Sequence, residues 1–355
     1  MTAPPPPPTH ADLRAALDAQ PRVRLAHLPT PVVAWDNLAA HLNGPRILCK
    51  RDDLTGLATG GNKTRKLEFL VADALARHCD ALITAGGPQS NHCRQTAAAA
   101  AIHRLDAHLV LGSDPVAPAD ARGNLFIDHL LGATCHFVDR AQRNARMQSL
   151  AEELAAAGKT PCVIPIGGSN TIGTLGYIAA MVELADQLAA KQLTVDRIVF
   201  ATSSGGTQAG LTLGAKLTGF TGNITAISID NEPAADGSFP FRDEVRDIAN
   251  ACAALLGSDT RLADDDLHIN HGYLGGGYGV VGPPEVEAAK LLATLEGTLV
   301  GPVYTARSLA GLIDLVRSGT IAKDETVLFW HTGDDAALHA YREHFVDTPE
   351  PADAQ

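Results

Sequence analysis

Residues 54–70 read LTGLATGGNKTRKLEFL, where Gly60 and Gly61 precede Asn62, Lys63, Thr64, Arg65 and Lys66 at the start of a helical pattern. Three cations in a first helical turn oppose the helix macrodipole at about 0.3 to 1 kcal/mol each, so local preference is violated there. Violations of this kind tend to mark function. A lysine in a glycine-lined, partly desolvated pocket can shed its proton and form a Schiff base with an aldehyde cofactor, and Lys63 is the candidate. The plain alternative is a solvated basic turn after a glycine loop.

Two further segments carry anion-binding chemistry. In ITAGGPQSNHCRQTAAAAA an apolar strand runs into Gly86 and Gly87, after which Ser90 and Asn91 stand at the start of an alanine-rich helix. The amides of that helix start can hold a carboxylate, although Ser90 or Asn91 can equally be no more than its cap. His92, alone in the first turn, is an acid or base only if it is not a packing residue. In RIVFATSSGGTQAGLTLG a strand leads through Ser203, Ser204, Gly205, Gly206 and Thr207 into another helix. Glycine amides, hydroxyls and a helix N-terminus together make a phosphate cradle, unless the segment is an ordinary strand-helix turn. It lacks the Gly-Lys-Ser/Thr of a nucleoside-triphosphate loop.

Several other signals are weaker. GYGVVG, with Gly277, Gly279 and Gly282, satisfies a dinucleotide pattern, but the HINHGYLGG before it is not an apolar strand and Pro283 follows at once, so nicotinamide binding is disfavoured. Tyr278 in that loop is either a hydroxyl lining a pocket or a packed aromatic. Tyr304 and Thr305 precede an amphipathic helix, and His331 and Thr332 follow the last apolar run. His268 and His271 have a metal-like spacing without a third ligand, which reads as a surface loop, and no metal is expected.

These residues need elements to position them. RILCK, ALITA, AHLVL, TCHFV, CVIPI, RIVFA, ITAISI and TVLFW are short apolar runs alternating with helical patterns, which predicts an α/β fold of parallel sheets with helices on both faces. In the first long helix, Leu67, Leu70, Val71, Ala74 and Leu75 would form the buried stripe. Ligands of such sheets bind at the carboxyl ends of the strands, where the motifs fall. The chain's 355 residues suffice for one large or two modest domains, and 45% hydrophobic residues with 19% charged ones describe a globular chain. A net charge of −12 opposes nucleic acid and anionic membranes as partners. No apolar run of membrane-spanning length and no signal peptide is apparent, and none of the six cysteines forms a C-x-x-C pair, so a reduced cytoplasm is expected. The Pro4–Pro8 run and the acidic end DTPEPADAQ are expected as flexible tails, residues 1–21 and 347–355.

Taken in order, LPTP, KRDDLTGL, GGNKTRKLEFL, QSNH, IPIGGSN, LGY, SSGGTQAG, GYG, PVYT, AGLIDL and LFWHTG, spread over roughly residues 22 to 345, resemble the D-cysteine desulfhydrase and 1-aminocyclopropane-1-carboxylate deaminase family. That resemblance implies pyridoxal 5′-phosphate on a fold like that of the tryptophan synthase β subunit (fold type II). It implies a large domain of residues 22–65 and 177–346, a small α/β domain of residues 66–176, the cofactor in the cleft between them, and a homodimer. Lys63 would carry the cofactor, Asn62 would contact its ring hydroxyl, Ser203 through Thr207 would hold its phosphate, and Thr305 or Thr332 would face its ring nitrogen. Ser90, Asn91 and His92 would face a small amino-acid substrate, with Ser90, Tyr278 and Tyr304 available for proton transfer. Glutamate is typical of the deaminases at the position of Thr305, so the implied activity is β-elimination from D-cysteine. A sulfo-lyase acting on L-cysteate and the deaminase are the alternatives, and a non-catalytic carrier would not need Ser90, Tyr278 and Tyr304 together. The chain departs from the family pattern at Ala306 and Arg307 (commonly Gly-Lys), Gly301 (commonly Asp), Asp334 (commonly Gly) and Cys93 (commonly Ala). An arginine at 307 would suit a sulfonate if it faced the substrate.

Overall fold

The apolar runs form strands because each is a short apolar stretch with at least one β-branched residue, flanked by polar or glycine-containing loops. The computed structural model describes residues 9–346, so the proline run and the acidic end lie outside the described residues. The strands are β1 (Val32–Ala34), β2 (Arg46–Arg51), β3 (Ala81–Gly86), β4 (Asp106–Gly112), β5 (Thr134–Val138), β6 (Pro161–Val163), β7 (Arg197–Thr202), β8 (Asn223–Ser228), β9 (His268–Asn270) and β10 (Thr326–His331). The helices are α1 (His10–Asp18), α2 (Asp36–His41), α3 (Lys63–Ala76), α4 (Asn91–His103), α5 (Gly123–Leu130), α6 (Arg143–Ala156), α7 (Thr171–Lys191), α8 (Gly206–Thr218), α9 (Pro240–Leu255), α10 (Pro283–Glu296) and α11 (Thr305–Arg317). A six-stranded sheet runs in the order β1-β2-β10-β7-β8-β9, and a four-stranded sheet in the order β5-β4-β3-β6. Every pairing is parallel except β1 with β2.

All eight apolar runs contribute strands, although CVIPI is strand only at Cys162 and Val163, and two short edge strands come in addition. The antiparallel β1 has three residues between Pro31 and Trp35, too few to show a period. At β9, the HIN that reads as a surface loop pairs with β8, and His271 just beyond it meets the Phe239 ring edge-on at 6.3 Å. The expected flexible tail also needs correction: residues 10–18 form α1, capped by Thr9, with Leu13 and Leu17 buried in the core against α7 and α8.

The expected domain limits fall inside two helices, α3 and α7, rather than between elements. These helices pack against each other where the limits lie: a Cβ on Gly176 would stand 2.3 Å from the Arg65 carbonyl oxygen. Only glycine permits that approach, so the two crossings between the sheets form one tight seam.

Beneath the seam lies a buried ionic cluster. Arg65 pairs with Asp52 at 2.8 Å and Glu183 at 2.9 Å, Lys50 pairs with Glu183 at 2.5 Å, and Asp52 also accepts from Tyr177 at 2.7 Å and from the Trp330 indole at 2.8 Å. Burial alone would push the Asp52 carboxyl up, but Arg65 and the other donors hold it at about 2. The cluster ties β2, α3, α7 and β10 together immediately behind the first turn of α3.

Candidate active site

The first turn of α3 is not a solvated basic turn. Arg65 and Lys66 are each 1% exposed, and Lys63 is half-buried, opening onto a cavity of about 240 Å³. Helix α3 is buried almost all round over its first twelve residues, so the stripe of Leu67, Leu70, Val71 and Ala74 is only part of its packed surface. Arg65 is answered by the acidic cluster. Lys66 reaches the Gly167 carbonyl at 3.1 Å and the Ser169 hydroxyl at 3.3 Å, and its amine lies 3.0 Å from where a Cβ on Gly206 would stand. Burial, then the proximity of Lys63, pushes Lys66 well below the usual lysine range.

Burial likewise lowers Lys63 to about 8, with the opposing charge of Asp334 limiting the fall. Its amine donates to the Asn62 side-chain oxygen at 3.0 Å, and the Asn62 amide donates to the Thr207 hydroxyl at 3.1 Å. Thus the Lys63 amine gives up its proton more readily than an ordinary lysine and is linked through one asparagine to the start of α8.

The carboxyl ends of the strands enclose the cavity. Behind β7, Ser203, Ser204, Gly205 and Thr207 line it at the N-terminus of α8, with Gly205 at φ +83°. A Cβ on Gly205 would lie 2.9 Å from Val245, so residue size and backbone conformation both favour glycine. Gly206 stands just behind the lining, its N–H donating to Ser169 at 3.0 Å. Behind β3, Ser90 caps α4 by accepting from the Cys93 N–H at 3.3 Å, and Ser90, Asn91 and His92 all line the same cavity. Ser90 is therefore both a cap and a lining residue, so its two readings do not exclude each other.

His92 is 3% exposed with Nε2 2.7 Å from the Thr84 hydroxyl. Thr84 donates to the Ile164 carbonyl at 2.9 Å, which leaves Nε2 of the imidazole as the donor to Thr84. Burial, then Lys63 and Lys66, pushes this histidine well below its usual range, so it stays neutral. Across the cavity the Tyr278 and Tyr304 hydroxyls are 2.6 Å apart, and burial raises both above the ordinary phenol range. The pair therefore keeps its protons. Gly87 admits the Tyr278 ring, which would otherwise lie 3.2 Å from a Cβ.

Not every expected residue meets the cavity. Thr332 lines it, whereas the Thr305 hydroxyl is fully buried and donates to the Gly333 carbonyl, outside the lining. Arg307 does not face a substrate. It is 1% exposed, pairs with Glu285 at 2.7 Å and donates to the carbonyls of Ile229, Leu274, Gly277 and Val280, so it buckles the Tyr278 loop from behind. Residues that sequence reading missed also line the cavity, among them Gly167, Asp230, Asn231, Arg140 and Arg143. Arg140 and Arg143 lie in an irregular segment and an exposed helix start with no local signal. Among the described residues no group of three or more metal-ligating side chains gathers, and no helix is long and apolar enough to cross a membrane.

A lysine amine lowered to about 8, a helix N-terminus lined by two serines and a threonine, and an asparagine between them fit pyridoxal phosphate in charge and donor chemistry. Fold and site together define a pyridoxal-phosphate enzyme built on two parallel-sheet layers. The chain belongs to the pyridoxal-phosphate dependent enzyme family, whose pattern matches residues 23–333. It is 38% identical over 330 residues to a D-cysteine desulfhydrase of Salmonella choleraesuis (strain SC-B67), covering 91% of this chain and 97% of the relative. A mitochondrial bifunctional D-cysteine desulfhydrase/1-aminocyclopropane-1-carboxylate deaminase of Arabidopsis thaliana is 38% identical over 320 residues, covering 87% and 77% respectively. The crystal structure of an ACC deaminase homologue superposes with a TM-score of 0.85 at 33% identity, covering 94% of this chain and 98% of the other.

Proposed function

We propose that the protein eliminates sulfide from D-cysteine, giving hydrogen sulfide, pyruvate and ammonia. The observation that carries this reading is the convergence on one cavity of a lysine amine lowered to about 8 and a proton-bearing tyrosine pair. Likeness to desulfhydrases along nearly their whole length supports the substrate.

Pyridoxal phosphate supplies, when bound, an aldehyde that condenses with amines and a conjugated ring that accepts the electron pair left by an α proton. Ser203, Ser204, Gly205, Gly206 and Thr207 would hold its phosphate, with Lys66 as the nearby cation, Asn62 would contact its ring hydroxyl, and Thr332 is better placed than Thr305 to face its ring nitrogen. Neither threonine carries a carboxylate, so neither would support a positive charge on that nitrogen, which would suit elimination. Ser90 and Asn91, at the N-terminus of α4, orient the substrate carboxylate beside His92. Lys63 takes the α proton, and the tyrosine pair or Ser90 gives a proton to the departing sulfur. On this reading residues 66–176 are the smaller domain and residues 22–65 with 177–346 the larger. The cleft between them holds the reaction in a cytoplasmic homodimer, for which six unpaired cysteines support the reducing compartment.

The test is parallel incubation of the cofactor-loaded protein with D-cysteine, L-cysteine and 1-aminocyclopropane-1-carboxylate. Sulfide and pyruvate from D-cysteine are expected. The bifunctional relative supports ring opening as a second reading, and 2-oxobutyrate from the cyclopropane substrate without sulfide from D-cysteine would replace the first by the second.

A further inference from the structure

Residues 271–282 read HGYLGGGYGVVG, with six glycines around Tyr278. Gly275, Gly277 and Gly279 take positive φ, and the whole segment is half-buried or exposed. Such a segment has much conformational entropy to lose on ordering. Its own backbone supplies little in return: the Gly277 N–H donates to the Leu274 carbonyl at 3.1 Å and the Val280 N–H to the Gly277 carbonyl at 3.3 Å. Among the described residues, the other hydrogen bonds to the backbone of residues 274–280 all come from Arg307. Its guanidinium meets the carbonyls of Leu274 at 2.7 Å, Gly277 at 3.0 Å and Val280 at 2.6 Å, and that of Ile229, just beyond β8, at 3.1 Å. Its Nε donates to Glu285, whose second carboxylate oxygen accepts the Gly282 N–H at 2.9 Å. Gly275 lies so close that a Cβ there would stand 3.3 Å from a terminal nitrogen of the fork.

Arg307 stands three residues after Tyr304, which caps α11, so the helix that carries one tyrosine also clamps the loop that carries the other. The Tyr304 end is fixed by Asp334, which accepts its N–H at 3.1 Å, and the two hydroxyls meet at 2.6 Å. We propose that Arg307 is a positioning residue for proton transfer: it holds the Tyr278 loop in register with α11, so that the two hydroxyls stay paired where the leaving group departs. The inference rests on the β-elimination reading and assigns the leaving-group proton to the tyrosine pair. As the C–S bond breaks its electron pair passes to sulfur, a tyrosine O–H proton follows, and solvent restores that proton after sulfide leaves. Arg307 touches none of the reacting atoms. Without its fork the loop is released from the body and takes Tyr278 away from Tyr304.

The test compares cofactor-loaded wild type with Arg307→Lys and with the paired replacement of Arg307→Met and Glu285→Gln, which leaves no unpaired buried charge and keeps an acceptor for the Gly282 N–H. Limited chymotrypsin digestion, read at the peptide bonds after Leu274 and Tyr278, should be at least about 10-fold faster in the paired replacement, with Arg307→Lys between it and wild type. The paired replacement should lower kcat for D-cysteine at least about 10-fold with KM within about threefold, as for a misplaced acid and not for lost substrate binding. Adding Tyr278→Phe should lower kcat no further. With β-chloro-D-alanine, whose chloride leaves without a proton, the loss should shrink below about threefold. If the paired replacement does not fold, Arg307→Lys, which keeps the charge, carries the same comparisons. Digestion at the wild-type rate would overturn the proposal. Equal losses on the thiol and chloride substrates, or losses that multiply when Tyr278→Phe is added, would overturn it too, because either would make Arg307 a general support of the fold. If wild type turns over neither substrate, the β-elimination reading fails, and the digestion alone decides whether Arg307 clamps the loop.

Discussion

Lys63 and Lys66 lie one helical turn apart, and burial lowers both, yet their surroundings divide their roles. Lys63 opens onto the cavity against Asn62, while Lys66 is shut behind Ser169 and Gly206. A Lys63 value of about 8 means that the free amine, the form that attacks an aldehyde, gains population as pH rises through that value. Cofactor-free protein should accordingly reload faster as pH rises from about 7 to 9, as followed by the rise in visible absorbance; a flat rate would place the amine's titration elsewhere. The tyrosine pair acts in the opposite sense, since burial keeps both hydroxyls protonated. Tyr304→Phe and Tyr278→Phe should each lower kcat, one of them by about 10²-fold, as expected for loss of a positioned acid. The larger loss identifies the hydroxyl that faces the leaving group.

Asp334 shows how far single residues could be read from sequence. Gly301 and Asp334 look like two unrelated departures from the family pattern, yet a Cβ on Gly301 would stand 1.9 Å from the Asp334 carbonyl oxygen and 2.5 Å from its Cγ. The two are therefore one packing solution, in which Asp334 adopts φ +94° and its carboxylate accepts the Tyr304 N–H at 3.1 Å. Residue type and spacing disclosed Lys63, Ser90, Tyr278 and the α8 cradle, because those are glycine- or cap-marked positions. They could not disclose Arg143 or turn Arg307 away from the substrate, since side-chain direction depends on neighbours distant in sequence.

At the scale of elements, the start of α3 is held by charge and that of α8 by glycine. Three cations can open α3 because Asp52, in the turn that follows β2, and Glu183, on α7, answer Arg65. Asp52→Asn removes a buried charge from that cluster and should destabilise the protein by about 3 to 5 kcal/mol in urea unfolding. The sign with pH follows from the depressed carboxyl. Its folded value of about 2 lies below the usual 3.8, so its contribution is full above about pH 4 and is lost as pH falls toward 2. The gap in stability between wild type and Asp52→Asn should therefore narrow on acidification. In the cradle, Gly206→Asp would set a carboxylate where Ser169 lies 2.8 Å from the new Cβ, facing the same anion the helix start attracts. Equilibrium dialysis should find weaker pyridoxal phosphate retention with the fold intact, and unchanged retention would remove α8 as the phosphate site. The strands were legible because parallel strands buried on both faces are continuous apolar runs. The edge strands β1 and β9, of three residues each, were not.

For the whole molecule, the decisive contact is the seam of α3 and α7, through which the chain passes on its way into and out of the four-stranded sheet. The resemblance placed the limits of the smaller unit at residues 66 and 176; the helical pattern that starts at Lys63 already ran through the first, but that both helices cross between the sheets was not legible, because a helix crossing between sheets keeps the same period as one within a layer. The seam also couples the scaffold to the chemistry, since Gly176 touches the backbone of Arg65, two residues beyond Lys63. Gly176→Val should cost at least about 1 to 3 kcal/mol by overpacking and should lower cofactor occupancy as well, because α3 cannot retreat without carrying Lys63 with it. Lost stability with full occupancy would uncouple the two.

The central claim is that Lys63 is the lysine that bonds the cofactor. The most direct measurement is borohydride reduction of the cofactor-loaded protein, followed by proteolysis and mass spectrometry of the peptide spanning residues 54–70, which holds both candidate lysines. The account predicts the reduced pyridoxyl mass on Lys63 alone, and its absence in Lys63→Ala. The same mass on Lys66, or on a lysine outside α3, would contradict it.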